Sequence, residues 1–294
     1  MDPKISVVIN TLNEEQNIER AIKSVNWADE IIVCDMYSKD KTIEVAKKMG
    51  AKVFFHKWAD YVEPARNFAL SKASNDWILV LDPDEEIQES LAEKLREITW
   101  KMKEVDYVRL PRKNLIFGHF MQASMWWPDY NIRFFKKDKV KWGNQIHRPP
   151  EVVGQGLDLP ANEKYAIIHS SYETISEFIQ RMDRYTTIQA RELNKEGYKF
   201  KWVDLFEKPL NEFLSRFFAN KGYQDGLHGL SLSLLQAFSF LAVYLKVWEK
   251  LKFKEQEIDL SEFKNEVQVN GKKIEYWFKD ENRNLLKKLY KIFK

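Results

Sequence analysis

Two aspartates one residue apart, Asp82 and Asp84, end the apolar run Trp77-Ile78-Leu79-Val80-Leu81 and are followed by Glu85 and Glu86. A buried parallel strand reads as a short continuous apolar stretch, and open α/β sheets bind ligands beyond the carboxyl ends of their strands. Both aspartates are therefore expected at a binding crevice. Hard carboxylate oxygens suit Mg²⁺ or Mn²⁺, and Mg²⁺ is commonly held by one or two carboxylates plus phosphate oxygens, so the chemistry indicated is metal-assisted reaction of a diphosphate. The same residues also read as a strand running into a helix N-terminus, where Glu85 and Glu86 would favour the positive end of the dipole.

The elements that must position this pair are legible upstream. Lys4 to Ile9, Glu30 to Asp35 and Ala51 to His56 are strand-like, and amphipathic stretches around Ile18 to Val25 and Thr42 to Met49 separate them. Strands alternating with helices imply βαβ units, right-handed crossovers and a mostly parallel, Rossmann-like sheet with helices on both faces. The first turn, Asn10-Thr11-Leu12-Asn13-Glu14-Glu15, carries neither a Gly-x-Gly-x-x-Gly fingerprint nor a Walker loop. Dinucleotide cofactors and P-loop ATP chemistry are thereby disfavoured. A further helix is predicted over residues 64 to 73, opened by Pro64, and it presents Arg66, whose guanidinium can pair with a diphosphate oxygen.

Four ordered landmarks, Ser6 to Glu14, Asp35 to Thr42, Ala65 to Leu70 and Leu81 to Glu85, resemble those of family 2 inverting glycosyltransferases with the GT-A fold. The segment Trp127-Pro128-Asp129-Tyr130-Asn131-Ile132-Arg133-Phe134-Phe135, with Ile146-His147-Arg148 and His169-Ser170-Ser171-Tyr172, is similar to the branch containing lipopolysaccharide-core β-glucosyltransferases. The likeness extends to roughly residue 250. It implies that Thr11, Asn13, Glu14 and Asp35 contact the uridine of a UDP-sugar, that Ser38 and Asp40 form the family's Ser-x-Asp turn, and that Arg66 lines the donor pocket. Helix capping is an equal account of Ser38 and Asp40, and an acidic helix start of Asn13-Glu14-Glu15.

The implied reaction is direct displacement at the anomeric carbon of a nucleotide sugar, with inversion. It requires a Mn²⁺ or Mg²⁺ ion at Asp82 and Asp84 to neutralise the leaving diphosphate, and a base to take the acceptor hydroxyl's proton. Asp129 is the candidate base, and the apolar Trp126-Trp127-Pro128 before it is expected to raise its pKa by desolvation. Either His147 or His169 could add an imidazole ligand or touch the acceptor, with His147 the leading candidate, and each also reads as a hydrogen-bonded core residue. A metal-dependent phosphohydrolase is the rival enzyme class, disfavoured because its acid pair normally follows the first strand. A catalytically inactive carbohydrate- or membrane-binding adaptor is the rival outside enzymes.

Net charge is +3, yet residues 1 to 100 hold 13 basic and 19 acidic side chains, and the remainder 34 and 25. The basic part suits an anionic membrane or phosphorylated glycolipid rather than nucleic acid, because no nucleic-acid-binding signature accompanies it. Cys34 is the single cysteine and lies in an apolar strand, as expected of a packed thiol in a reducing cytoplasm. The N-terminus enters a strand at once, so no signal peptide is read there.

The expected organisation is a catalytic domain over residues 1–172, a helical region over 173–254 and an extension over 255–294. In the second, Thr174 to Glu196 reads as an amphipathic helix with Phe178, Met182, Tyr185 and Ile188 on its stripe. Leu230 to Leu245 is charge-free, serine-interrupted and followed by Lys246, Lys250, Lys252 and Lys254. It is short for a bilayer span and reads as lying in the membrane interface, with an oligomer contact or a core helix as alternatives. In the extension, Asn270-Gly271 between Glu266 and Tyr276 signals a type I′ β-hairpin, and Asp280 a cap before a basic amphipathic helix.

Overall fold

All seven residues of strand β1 (Ile5–Thr11) are buried, because the strand is central and covered on both faces. It pairs in parallel with β2 (Glu30–Asp35) on one side and β4 (Trp77–Leu81) on the other, and β3 (Lys52–Phe55) continues the parallel set beyond β2. The connections are helices α1 (Ile18–Ser24), α2 (Thr42–Lys48) and α3 (Glu63–Ser71). The computed structural model describes residues 3–57, 63–143 and 149–278. Alternation along the strands feeds two cores. Val7, Ile9, Leu79 and Leu81 pack with Ile18, Ile22, Leu91 and Leu95, whereas Val8, Ile32, Cys34, Ile78 and Val80 pack with Ala69 and Leu70 of α3 and with Ala73 just after it. The Cys34 thiol is pushed up to about 11 by burial, as suits a packed and unreactive side chain.

Beyond β4 the sheet turns antiparallel. After β5 (Glu85–Ile87) and α4 (Glu89–Lys101), the long β6 (Val105–Ile116) pairs with β8 (Asp129–Lys136), which itself pairs with β4. A two-residue β7 (His119–Phe120) lies between them in sequence. β9 (Val140–Lys141) and β10 (Glu151–Val152) form a separate ribbon, β11 (Gln155–Asp158) joins β6, and β12 (Ile167–Tyr172) pairs with β5, giving the strand order β3-β2-β1-β4-β8-β6-β12-β5. This sheet is mixed rather than mostly parallel, with parallel pairing over β3-β2-β1-β4 and antiparallel pairing of β4 with β8, β8 with β6 and β12 with β5, and with its flanking helices it is the α/β architecture of the GT-A type. Glu85 and Glu86 are strand residues opposite His169 and Ile168, not the start of a helix, because β12 offers their backbone a partner.

The chain divides into two compact units, residues 1–115 with 128–171, and residues 116–127 with 172–294. The second is helical, with α5 (Ile175–Lys195), α6 (Asp204–Leu214), α7 (Gly226–Lys250) and α8 (Leu260–Phe278). The Thr174 hydroxyl caps α5 by accepting from Glu177 N at 3.1 Å. Its buried face runs through Phe178, Thr186 and Ala190, and Tyr185 and Ile188 are only half-buried.

The expected hairpin over Glu266 to Tyr276 is instead the middle of helix α8. Asn270 is 1% exposed, Trp277 packs with Phe218, and Lys273 reaches Glu207 at 2.8 Å. Residues 270, 273 and 277 share one helical face, and their contacts with this unit outweigh the local turn preference of Asn-Gly. The Asp280 cap and the basic helix after it lie outside the described residues.

Candidate active site

The loops after β1 and β2 are fastened to one another at the carboxyl end of the parallel sheet. Thr11 and Asp35 face each other in register, and the Thr11 hydroxyl donates to Asp35 Oδ2 at 2.9 Å. Asp35 is fully buried and also accepts from Ser38 N at 2.7 Å and from the Ser38 hydroxyl at 2.5 Å. Asn13 takes a left-handed backbone (φ 55°), which asparagine tolerates well. Its N–H donates to Ser38 Oγ at 2.7 Å and its Oδ1 accepts from Lys39 N at 2.8 Å. Glu14 N donates to Thr42 Oγ1 at 2.7 Å, and Glu15 N to Asp40 Oδ2 at 3.1 Å. Burial alone would raise Asp40, but the Thr42 and Glu15 donors hold it below its usual range. Ser38 and Asp40 thus fasten two loops together. The structure brings Thr11, Asn13, Glu14, Asp35 and Ser38 into one polar cluster.

At the end of β4 the two aspartates face different partners. Arg66 of α3 donates to Asp82 Oδ1 at 2.7 Å, and Arg133 of β8 to Asp82 Oδ2. Arg133 also donates to Glu85 Oε1 at 2.8 Å, and Arg112 of β6 approaches the same oxygen at 3.3 Å. Arg112 then grips Asp129 Oδ2 through Nε and Nη2, at 2.8 and 2.6 Å. The result is an alternating chain: Arg66, Asp82, Arg133, Glu85, Arg112, Asp129. Burial opposes ionisation of Asp82, yet Arg133, Arg66 and Arg112 hold its carboxyl far below the usual range. The same acids keep Arg133 protonated against its own desolvation.

Asp84 faces His169 of β12, with Oδ2 and Nε2 3.5 Å apart. His169 Nδ1 lies 2.6 Å from Asn114 Oδ1, and the Asn114 amide nitrogen donates to Asp129 at 3.2 Å. With Nδ1–H donating to an amide oxygen, the ring turns its Nε2 towards the Asp84 carboxylate. A carboxylate and an unprotonated Nε2 so placed would fit a cation between them. No group of three or more His, Cys, Asp or Glu side chains among the described residues could hold a metal, so Asp82 does not complete a cluster with these two.

The model of glycosyl transferase family 2 matches residues 6–150. An uncharacterized glycosyltransferase of Rickettsia typhi is 33% identical over 80% of this chain and 84% of its own. This chain belongs to glycosyl transferase family 2. The lipopolysaccharide core biosynthesis glycosyltransferase LpsC of Rhizobium meliloti is 23% identical to this family 2 glycosyltransferase over 85% of this chain and 94% of its own. A Pyrobaculum calidifontis mannosyltransferase, solved in complex with GDP-Man and Mn²⁺, is 12% identical over 100% of this chain and 86% of its own, with a TM-score of 0.49.

In the family 2 glycosyltransferase Asp129 departs from the expectation of a raised pKa. Burial acts in that direction, but Arg112, Asn114 and Asn131 outweigh it and hold the carboxyl below its usual range. Asp129 is therefore ionised at neutral pH, the form in which a base can accept a proton. His147 lies outside the described residues, so of the two histidines the structure describes only His169. Sequence reasoning missed Arg112, Asn114 and Arg133. Arg112 and Asn114 lie two apart on a strand and so share a face, and Arg112 is the register partner of Asp129, but that pairing is invisible before β6 and β8 are docked.

Proposed function

We propose that this glycosyltransferase moves a hexose from a UDP-sugar, with inversion, onto a saccharide or glycolipid acceptor of the lipopolysaccharide type. The observation that carries the proposal is the Asp84 carboxylate facing His169 Nε2 at 3.5 Å. A carboxylate and an imidazole suit Mn²⁺, and a site with two protein ligands leaves the remaining positions to diphosphate oxygens and water. Bound there, the ion would neutralise charge on the leaving diphosphate. The cluster of Thr11, Asn13, Glu14, Asp35 and Ser38 offers the acceptors and donors that a uracil edge and ribose hydroxyls require. Arg66, half-released from Asp82 by a competing anion, would bind a phosphate oxygen. Asp129, already ionised, takes the proton of the acceptor hydroxyl as that oxygen attacks the anomeric carbon and UDP departs.

The lipopolysaccharide assignment is supported by the likeness to LpsC over most of both chains. A peripheral membrane position is supported by α7. Gly222 to Lys250 is long and apolar enough to cross a membrane by length and composition, and one third of its most apolar window is buried. Leu227, Leu234, Phe238 and Leu245 on α7 are all exposed. At spacings of seven, four and seven residues they fall on one stripe about 27 Å long. A helix lying flat, with this stripe among acyl chains and Lys250, Lys252 and Lys254 at headgroup level, would bring the enzyme to a glycolipid substrate on the cytoplasmic face.

Calorimetry with UDP tests the central reading. Affinity should require Mn²⁺ or Mg²⁺, weaken on adding EDTA and weaken in Asp84→Asn and His169→Ala. Undiminished UDP binding in EDTA and in both variants would overturn it.

A further inference from the structure

Asn114 is wholly buried on β6, and both ends of its amide are engaged. The ionised carboxylate of Asp129 can only accept a hydrogen bond, so the amide nitrogen must face it, 3.2 Å from Oδ2. The amide oxygen is thereby fixed towards His169, 2.6 Å from Nδ1. Since that oxygen can only accept, Nδ1 must carry a proton, so the ring nitrogen left to serve as a ligand is Nε2, opposite Asp84. A single path of four side chains joins Asp129, Asn114, His169 and Asp84. Arg112, two residues earlier on the same face of β6, reaches Asp129 and Glu85, so Asn114 supplies the link from Asp129 to the imidazole.

We propose that Asn114 is a positioning residue that acts on both halves of the reaction. It holds His169 in the tautomer that can ligate a divalent ion, and it aims the Asp129 carboxylate that receives the acceptor proton. The inference rests on the metal and base assignments of the proposed function. Its physical basis is the coupling of a ligating imidazole to a second hydrogen-bonding group, whose loss typically lowers metal affinity about 10- to 100-fold. An asparagine can satisfy both neighbours because it offers a donor and an acceptor on one planar group. An aspartate keeps the acceptor and loses the donor; a leucine loses both.

The test compares the whole protein with Asn114→Asp and Asn114→Leu, using Mn²⁺ with UDP as the probe. In the leucine variant, checked for folding by circular dichroism, Mn²⁺ affinity should fall by about 10- to 100-fold. Nitrogen-15 NMR of the protein labelled at its five histidines should then show His169 as a mixture of tautomers in place of one. In the aspartate variant Mn²⁺ affinity should stay close to wild type, while turnover of UDP-glucose, with water as acceptor, falls about 10-fold or more at little-changed KM. Wild-type metal affinity and a single His169 tautomer in the folded leucine variant would overturn the proposal. If that variant does not fold, unchanged turnover in the nearly isosteric aspartate variant overturns it instead. A wild-type protein that binds no Mn²⁺ with UDP fails the parent reading, whereas Asp84-dependent Mn²⁺ binding that both Asn114 variants leave untouched fails this inference alone.

Discussion

The crevice of the first unit and the outer face of α7 in the second both set residue type against burial, in opposite senses. In the crevice, Arg133 is 4% exposed and Glu85 fully buried, and they belong to a chain in which arginines and carboxylates alternate from Arg66 to Asp129. On α7, Leu227 is 69% and Phe238 50% exposed while Leu232 and Val247 of the same helix are buried. Buried charges cost folding energy unless geometry pairs them, and exposed leucines forgo stabilisation that burial would supply. In the crevice the buried charges are held in place by mutual pairing. The α7 stripe is apolar surface that the described residues leave uncovered.

The largest effect expected on the crevice side is catalytic. Asp129→Asn should lower sugar transfer by about 10²- to 10⁴-fold while UDP affinity stays near wild type, because the carboxylate acts on the acceptor hydroxyl. Steady-state kinetics beside UDP calorimetry would check it, and a variant retaining most of its turnover would move the base elsewhere, with Glu85 next in line.

Arg133→Met probes whether the paired charges hold the fold. It leaves Asp82 and Glu85 without their shared buried cation, and removing one partner of a buried pair typically costs about 3–5 kcal/mol. Urea unfolding should show that loss. A change below about 1 kcal/mol would mean that solvent reaches these carboxylates and would weaken the contrast with α7.

The amino end of the same sheet gives a smaller, pH-dependent comparison. Glu30 accepts from the Ser6 hydroxyl, Ser74 N and Lys52 at 2.6, 2.9 and 2.7 Å. Burial would raise its carboxyl, but these donors hold it at about 2, against 4.5 ordinarily. A lowered folded-state value means that the carboxylate's contribution is complete above pH 4.5 and is lost as pH falls towards about 2. Asp82 and Asp129, lowered by their arginines, act with the same sign. Glu30→Gln should therefore flatten the acid limb of the stability curve within that window. An unaltered acid limb would show that Glu30 is not bound this way in solution.

The smallest stability effect belongs to α7. Leu234→Gln with Phe238→Gln removes exposed groups only, so thermal unfolding should shift by less than about 0.5 kcal/mol per site. Flotation with anionic vesicles at low salt should nonetheless be lost. Retained flotation would assign membrane contact to another surface, and marked destabilisation would show that the stripe is covered in solution, for instance by a second copy of the chain.

Much of the first unit was legible because its signals are local. Continuous apolar runs gave β1, β2 and β4 within a residue or two and set Asp82 and Asp84 at a strand end, and the residues Thr11, Asn13 and Asp35 that the resemblance singled out do lie together. The environment of each residue was not legible. Trp126 and Trp127 suggested a desolvated Asp129 with a raised pKa, yet Arg112 and Asn114 arrive from β6 and reverse the shift. Asn270-Gly271 offered a turn, but a turn preference of a few tenths to about 1 kcal/mol yields to burial of a helical face.

The sequence by itself determined the alternation from β1 to β4, the place of the acid pair at a strand end, and the family. Those follow from periodicity and from motifs contained in short windows. Only the tertiary structure decided that Asp82 turns to Arg66 and Arg133 while Asp84, two positions on, turns to His169. The partners come from α3, β8 and β12, which are 16, 51 and about 85 residues away along the chain. A side chain's protonation and ligand preference are set by such neighbours, and the residue alone does not encode which of them will meet it.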